Sequence, residues 1–123
     1  MENSKNICPP GWHLPSIDEL TVLSFFLDGD TVAGGKMKEI GTAFWQSPNI
    51  AATNSSRFTA LPGGFGDWNG VYSDIGTVGG WWTSTRSKRL RMAFVYEIGK
   101  STGKLYINDH FKRMKYSIRC IKE

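Results

Sequence analysis

The placement of the two cysteines constrains this chain more than any other feature. The 123 residues include only Cys8 and Cys120, one near each end. Because the termini of a domain often lie close together, a bridge between these cysteines is geometrically easy. Closing a loop of roughly 100 residues stabilises a fold by up to ~4–5 kcal/mol in the chain-entropy model. The alternative is a pair of unrelated buried thiols in a cytosolic protein. We expect Cys8 and Cys120 to form a disulfide, because disulfides are common in exported domains.

Size and composition fit one globular domain. An apolar fraction of 40% in 13.8 kDa is enough to build a core, and it excludes a mostly disordered chain. No window holds the long apolar run of a membrane helix, and the polar residues after Met1 do not form a secretory signal. We therefore expect residues 1–123 to be a single domain excised from a longer surface protein, with its targeting segment lying elsewhere.

Positive charge is concentrated in the second half of the chain. Residues 1–60 hold four basic and six acidic side chains, whereas residues 61–123 hold eleven basic and five acidic ones. A basic half indicates either an acidic partner or a soluble surface with scattered lysines, and the sequence leaves both open.

The clearest local signal is a helix from Ser16 to Leu27. Ser16 and Glu19 have the spacing of a capping box, and Asp28-Gly29-Asp30 follows as a stop signal. Apolar residues recur behind the cap at helical spacing and predict one buried stripe: Ile17, Leu20, Leu23 and Leu27, widened by Phe25 and Phe26.

The middle of the chain is expected to be irregular. In Thr31–Phe44 the pair Gly34-Gly35 interrupts the pattern, and Lys36–Ile40 fits either a short strand or one helical turn. Trp45–Gly80 is dominated by turn formers with embedded aromatic residues, which predicts loops anchored by those aromatics. We expect four tryptophans to be buried: Trp12, Trp45, Trp81 and Trp82. Trp68 is the best candidate for an exposed aromatic, although loop anchoring is its expected role.

The last third predicts an antiparallel sheet. Trp81–Thr85, Leu90–Ile98 and Leu105–Phe111 have strand composition, and Gly99–Gly103 fits a hairpin loop. A last strand, Tyr116–Lys122, would carry Cys120. Together these elements predict an α+β fold with a small twisted antiparallel sheet, one or two helices and long loops.

Four landmarks in chain order resemble one known family. Cys8–Ser16 (CPPGWHLPS), Ala52–Gly64 (ATNSSRFTALPGG), Trp81–Thr85 (WWTST) and Ser117–Lys122 (SIRCIK) are similar to motifs of the Fibrobacter succinogenes major paralogous domain, often called FISUMP. The match spans nearly the whole chain.

The resemblance implies an exported bacterial domain of Bacteroidetes-type surface proteins. It also implies a fold similar to C-type lectins and the formylglycine-generating-enzyme group, in which the first and last strands pair. The family has no established catalytic activity. Such folds serve as receptor-binding tips and as the variable proteins of diversity-generating retroelements, whose randomised residues correspond here to Thr85–Ser117.

The residues themselves argue against an enzyme. Nucleophilic catalysis needs a base beside the nucleophile, and only His13 and His110 are available. We expect His13 to be a hydrogen-bonded packing residue and His110 to be surface-facing. A zinc site lacks ligands. Asn108-Asp109 and Ser47-Pro48-Asn49 only faintly resemble calcium-binding motifs of lectins, and calcium needs six to eight oxygen ligands. We therefore predict no metal and no cofactor.

The preferred hypothesis is a non-catalytic extracellular or cell-surface recognition module for a protein or glycan ligand. Its binding face would be the outer side of the Arg89–Phe111 hairpin with the flanking loops. The alternatives are a structural repeat or spacer of a surface lipoprotein, a retroelement variable protein, and, ranked last, a nucleic-acid binder. We expect a monomer that does not insert into membranes. The candidate ligand-binding residues are Arg86, Lys88, Arg89, Arg91, Tyr106, Asn108, His110, Lys112 and Arg113.

Overall fold

The computed structural model describes residues 7–123 and has an α+β architecture with two helices and small antiparallel sheets. Met1–Asn6 lie outside the described residues. The elements in chain order are β1 Trp12–His13, α1 Ile17–Phe26, α2 Asp30–Met37, β2 Phe65–Gly66, β3 Tyr72–Ser73, β4 Val78–Arg86, β5 Met92–Gly99, β6 Leu105–Phe111 and β7 Ile121–Lys122. Among these residues no helix has the length and apolar character needed to cross a bilayer.

The two ends of the domain are joined as the cysteine positions predicted. Cys8 and Cys120 form a disulfide with their Cα atoms 5.9 Å apart. Beside it β1 pairs antiparallel with β7, with Trp12 opposite Lys122. The last strand is shorter than the predicted Tyr116–Lys122, and Cys120 immediately precedes it. The segment before it instead makes single bridges, at Lys115 and at Ser117, to two different parts of the fold.

Helix α1 begins as predicted but buries a narrower stripe. Ser16 accepts a hydrogen bond from the Glu19 amide, and the Glu19 carboxylate accepts one from the Ser16 amide. The expectation that Phe25 and Phe26 join the buried stripe is wrong, because they are 84% and 81% exposed. Together with Val22 they form a second i, i+3, i+4 stripe on the solvent side of the helix.

Helix α2 settles the ambiguity after Thr31, and it runs through the two glycines expected to interrupt it. Those glycines are needed for close approach. A Cβ at Gly34 would lie 2.5 Å from the Lys104 carbonyl oxygen, and one at Gly35 would lie 2.3 Å from that of Ala51. The low helix propensity of glycine is therefore offset by packing that no larger residue allows.

The central sheet has the order β4-β5-β6 and carries a core on each face. The larger core joins both helices to one face and includes Trp45, Trp81 and Tyr96. The smaller core joins Trp82 and Val95 on the other face to partly buried side chains of the C-terminal segment. Because both faces are covered, β5 has buried residues at successive positions and lacks a simple alternation of buried and exposed residues.

The burial of the four tryptophan side chains expected in the core differs from the expectation at one position. Trp45, Trp81 and Trp82 are buried as predicted, but Trp12 is 43% exposed. It sits on a two-residue strand that, among residues 7–123, pairs with the equally short β7 alone, so little of the described structure covers it. The loops of residues 45–77 are anchored by Trp45 and the partly buried Phe58, whereas most other apolar side chains there are exposed.

A buried lysine, which the sequence analysis did not single out, fastens two loops to the helical layer. The fully buried Lys38 ammonium donates hydrogen bonds to the carbonyl oxygens of Ile50 (2.7 Å), Gly99 (3.0 Å) and Thr102 (3.0 Å). It also lies 5.4 Å from the centroid of the Trp45 ring. Burial lowers the pKa of Lys38 to about 8.

Candidate functional site

Trp68 stands at the tip of a loop between β2 and β3 that is closed by its own hydrogen bonds. The Asp67 carboxylate accepts hydrogen bonds from the amides of Asn69 (2.8 Å) and Val71 (3.0 Å), while the Asp67 amide donates to the Val71 carbonyl (3.0 Å). Gly70 supplies the positive φ of 82° that closes the turn. The result is an indole that is 52% exposed, so the expectation that Trp68 anchors its loop in the core is wrong.

The turn after β6 is hydrogen-bonded to the hairpin formed by β2 and β3. Gly66 and Lys115 exchange two backbone hydrogen bonds, of 2.8 and 2.7 Å. This pairing places the Arg113 guanidinium 5.7 Å from the centroid of the Trp68 ring. Two residues further along, the Lys115 ammonium lies 6.0 Å from the Tyr72 ring centroid. Residues more than forty positions apart in the chain thus form one surface of alternating cations and aromatic rings.

The loop between β4 and β5 completes the surface with Arg91. Arg91 has a left-handed backbone conformation with a φ of 61°. Its carbonyl oxygen accepts a hydrogen bond from the Lys112 amide at 2.9 Å. The two basic residues therefore stand side by side at the end of the β5–β6 hairpin.

These parts enclose an open groove of about 360 Å³. We call it the aromatic–basic groove and define it by its lining residues Trp68, Arg91, Phe111, Lys112 and Arg113. Phe111 is 50% exposed, so two half-exposed rings lie among three cationic side chains. The groove has the size of a small-molecule site and the composition of a recognition surface.

The remaining basic candidates lie outside this groove. Arg89 approaches Asp109 at 3.5 Å, and the Ser87 hydroxyl donates to the same carboxylate at 2.7 Å. The Ser87 hydrogen bond and the Arg89 charge hold the pKa of Asp109 below its usual value. Arg86 ends β4 and Lys88 follows in the exposed loop. The predicted binding face is therefore divided at this point.

The three remaining candidates surround Glu97 on the face of the sheet that carries the smaller core. Asn108 donates to the Glu97 carboxylate at 2.8 Å, and His110 Nε2 lies 3.3 Å from the same oxygen. The His110 ring also packs against Tyr116 with the centroids 5.0 Å apart. Tyr106 lies opposite Glu97 on β6, with the Lys104 ammonium 5.0 Å from its ring centroid. Asn108 and His110 thus have intramolecular partners.

The partly buried Glu97 carboxylate titrates at a lower pH than usual. Burial raises the pKa of Glu97. The hydrogen bonds from His110 and Asn108 and the charge interaction with His110 lower it by more than burial raises it, so the net shift is downward. A carboxylate with a lowered folded-state pKa stabilises the fold above its unfolded pKa of about 4.3, and this contribution is lost as the pH falls through the folded pKa.

We expect Glu97→Gln to lower the free energy of unfolding at pH 7 by about 1.5–3 kcal/mol, the range for hydrogen bonds to charged groups. The gap between wild type and variant should shrink at pH 3, where the wild-type carboxylate is increasingly protonated. Urea unfolding at both pH values measures this, with Asp18→Asn as an exposed carboxylate control. A gap that is unchanged at pH 3 contradicts this assignment.

The positions weighed for metal binding have structural partners. Asn108 and Asp109 are engaged as described, and the Asn49 amide donates to the carbonyls of Glu39 (3.1 Å) and Gly41 (2.6 Å). Within residues 7–123 no three His, Cys, Asp or Glu side chains gather as metal ligands would. His13, expected to pack, lies 2.9 Å from the Glu19 carboxylate and is partly exposed. That the chain uses no metal and is not an enzyme stays a prediction.

Comparison with known proteins gives one finding. The family model of the Fibrobacter succinogenes major domain matches residues 1–122. Searches among curated proteins and among solved structures found no match. The four sequence landmarks and the family model agree over nearly the full length, and the chain belongs to the Fibrobacter succinogenes major domain family.

Proposed function

We propose that this chain is a non-catalytic extracellular recognition module that binds a protein or glycan on a cell surface through the aromatic–basic groove. The observation that carries the proposal is the exposure of Trp68 and Phe111 beside Arg91, Lys112 and Arg113. Tryptophan and arginine are the residues most enriched among binding hot spots. The exposed half of each ring contributes no burial energy to folding, whereas a ligand that covers it gains that energy.

The rigidity of the groove also supports binding. The Asp67 turn fixes Trp68, and the paired backbone hydrogen bonds of Gly66 and Lys115 fix the segment that carries Arg113. A surface that is ordered before binding loses less conformational entropy when the ligand arrives. The groove is therefore suited to specific recognition.

The extracellular setting and the finer fold assignment belong to this proposal. A disulfide that joins the chain ends favours an oxidising compartment. The pairing of β1 with β7 beside that disulfide supports the C-type-lectin-like fold implied by the family resemblance. We propose a monomer that needs no cofactor and does not insert into membranes.

One observation favours a second candidate, a structural repeat or spacer domain of a longer surface protein. Val22, Phe25 and Phe26 form an exposed apolar stripe along α1. A neighbouring domain in a longer chain could cover this stripe. Such a role does not use the aromatic–basic groove, so mutations there separate the two candidates.

Trp68→Ala is expected to weaken ligand binding at least ~30-fold, the loss of a hot-spot residue worth about 2 kcal/mol. Its melting temperature should stay within about 2 °C of wild type because the indole is half exposed. The measurement is binding to arrays of glycans and purified cell-surface proteins, followed by affinity determination for the tightest binder. Phe25→Ala, which removes an exposed ring outside the groove, is the matched control and should bind normally. Equal affinities of Trp68→Ala and wild type would show that the ligand binds outside the aromatic–basic groove, and the absence of any ligand would argue for the spacer role.

A further inference from the structure

We infer that the ligand of the aromatic–basic groove is an acidic saccharide, a sugar bearing a carboxylate or sulfate group, bound without calcium. This inference rests on the proposed function, since it names the ligand class of the same site. It is carried by the charge of the lining, the geometry of the rings and the size of the groove.

The lining selects for negative charge. Of the five lining residues within the described part of the chain, 7–123, three are cationic and none is acidic. The two nearest carboxylates in the sequence are occupied elsewhere: Asp67 accepts the amides of its own loop, and Asp109 accepts from Ser87 beside Arg89. Neither carboxylate belongs to the lining, and the Arg91 and Arg113 guanidinium groups there favour an anionic ligand.

The rings select for a flat apolar face next to that negative charge. Trp68 and Phe111 expose ring surface, and the Arg113 guanidinium lies 5.7 Å from the Trp68 ring centroid. A pyranose ring presents aliphatic C–H groups on one face, and these carry slight positive charge that suits the negative face of an aromatic ring. A sugar stacked on Trp68 would place a ring substituent within reach of Arg113, whose planar fork matches a carboxylate or sulfate.

Size and charge continuity favour a saccharide over larger polyanions. The groove of about 360 Å³ with five lining residues is small beside a standard protein interface, which uses about 20–30 residues a side. A single-stranded nucleic acid would also stack on the rings, but it needs a basic track along its backbone. Beyond Arg91 the next basic side chain, Arg89, lies 3.5 Å from the Asp109 carboxylate, which compensates part of its charge.

Calorimetric titration of the intact domain tests the inference. The titrants are tetragalacturonate and a chondroitin sulfate tetrasaccharide, compared with the neutral maltotetraose, each with and without EDTA. We expect one of the acidic sugars to bind at least ~10-fold tighter than the neutral one, unaffected by EDTA. The tighter acidic sugar identifies whether carboxylate or sulfate is preferred.

Variants test whether the groove is responsible for the preference for acidic over neutral sugars. Arg113→Gln should reduce the acidic-over-neutral ratio to below ~3-fold, and Arg113→Lys, which keeps the charge but loses the planar fork, should retain part of it. Lys88→Gln makes an equal change of charge outside the lining and should leave the ratio unchanged. Trp68→Ala should weaken binding of all the sugars.

Four outcomes would overturn the inference. One is equal affinity for acidic and neutral sugars, and another is no detectable binding of either acidic sugar at about 1 mM. The third is tighter binding of oligo-dT or of vesicles containing phosphatidylserine than of the acidic sugars. The fourth is Trp68-dependent binding of a neutral glycan or a protein in preference to the acidic sugars, which leaves the proposed function standing. Binding to any array ligand that is unaffected by Trp68→Ala overturns the proposed function itself.

Discussion

Replacing both cysteines by alanine, Cys8→Ala with Cys120→Ala, is expected to lower the free energy of unfolding by up to ~4–5 kcal/mol. The bridge spans a sequence separation of 112 residues, so its loss restores a large loop-closure entropy to the unfolded chain. The strand pairing beside it, between β1 and β7, is short, because each strand has two residues. Native domains have only about 5–15 kcal/mol of net stability, so this loss is a large fraction of the total.

Denaturant unfolding measures the effect, and reduction provides its control. Wild type in excess thiol reductant should lose a similar amount of stability, whereas the double variant should not respond to reductant. A loss below about 1 kcal/mol, or an equal response of both proteins to reductant, would show that the chain ends are held by other interactions.

Lys38→Met should be the most damaging single substitution among those considered, with a loss of about 3 kcal/mol or more. Three carbonyl oxygens in partly buried positions accept hydrogen bonds from the Lys38 ammonium, and each buried acceptor left unsatisfied costs about 1–3 kcal/mol. Methionine fills similar space, so the loss reports the missing hydrogen bonds more than a cavity. Urea unfolding at pH 7 measures it.

The matched control is Lys36→Met, which removes a partly exposed lysine that pairs with Asp28. A surface pair of this kind contributes about 0–1 kcal/mol. Because burial lowers the folded-state pKa of Lys38 from 10.5 to about 8, the unfolded chain binds more protons between those values. Wild-type stability should therefore rise with pH in that window relative to Lys38→Met. Losses of equal size in the two variants would contradict the assigned role of Lys38.

Features set by local geometry could be predicted from the sequence. The capping box of Ser16 and Glu19 involves residues three positions apart and needs no other part of the fold. The pattern behind it could not show which apolar stripe is covered, because α1 has two stripes and tertiary packing selects the one containing Leu20 and Leu27. The helical conformation of Gly34-Gly35 could not be predicted from the sequence either, because it depends on contacts with Lys104 and Ala51.

The candidate site could be predicted only in part. Arg91, Lys112 and Arg113 were expected on the binding face because they flank the β5–β6 hairpin. Their neighbour Trp68 comes from a distant loop, and the two regions meet through the paired amides and carbonyls of Gly66 and Lys115. Backbone pairing of this kind leaves no side-chain pattern in the sequence. The aspartate and glycine around Trp68 were the available signal for a rigid, exposed loop tip.

The central claim is that ligand binds at the aromatic–basic groove, and the tryptophan side chains allow a direct test. The chain has five tryptophans, so a ¹H–¹⁵N NMR spectrum carries five indole N–H signals. During titration with the tightest ligand, we predict shifts of the Trp68 indole and of the Phe111–Arg113 amides. The buried Trp45 and Trp82 and the exposed Trp12 should stay in place. Shifts at Trp12 or along α1, with the Trp68 signal unmoved, would contradict the claim.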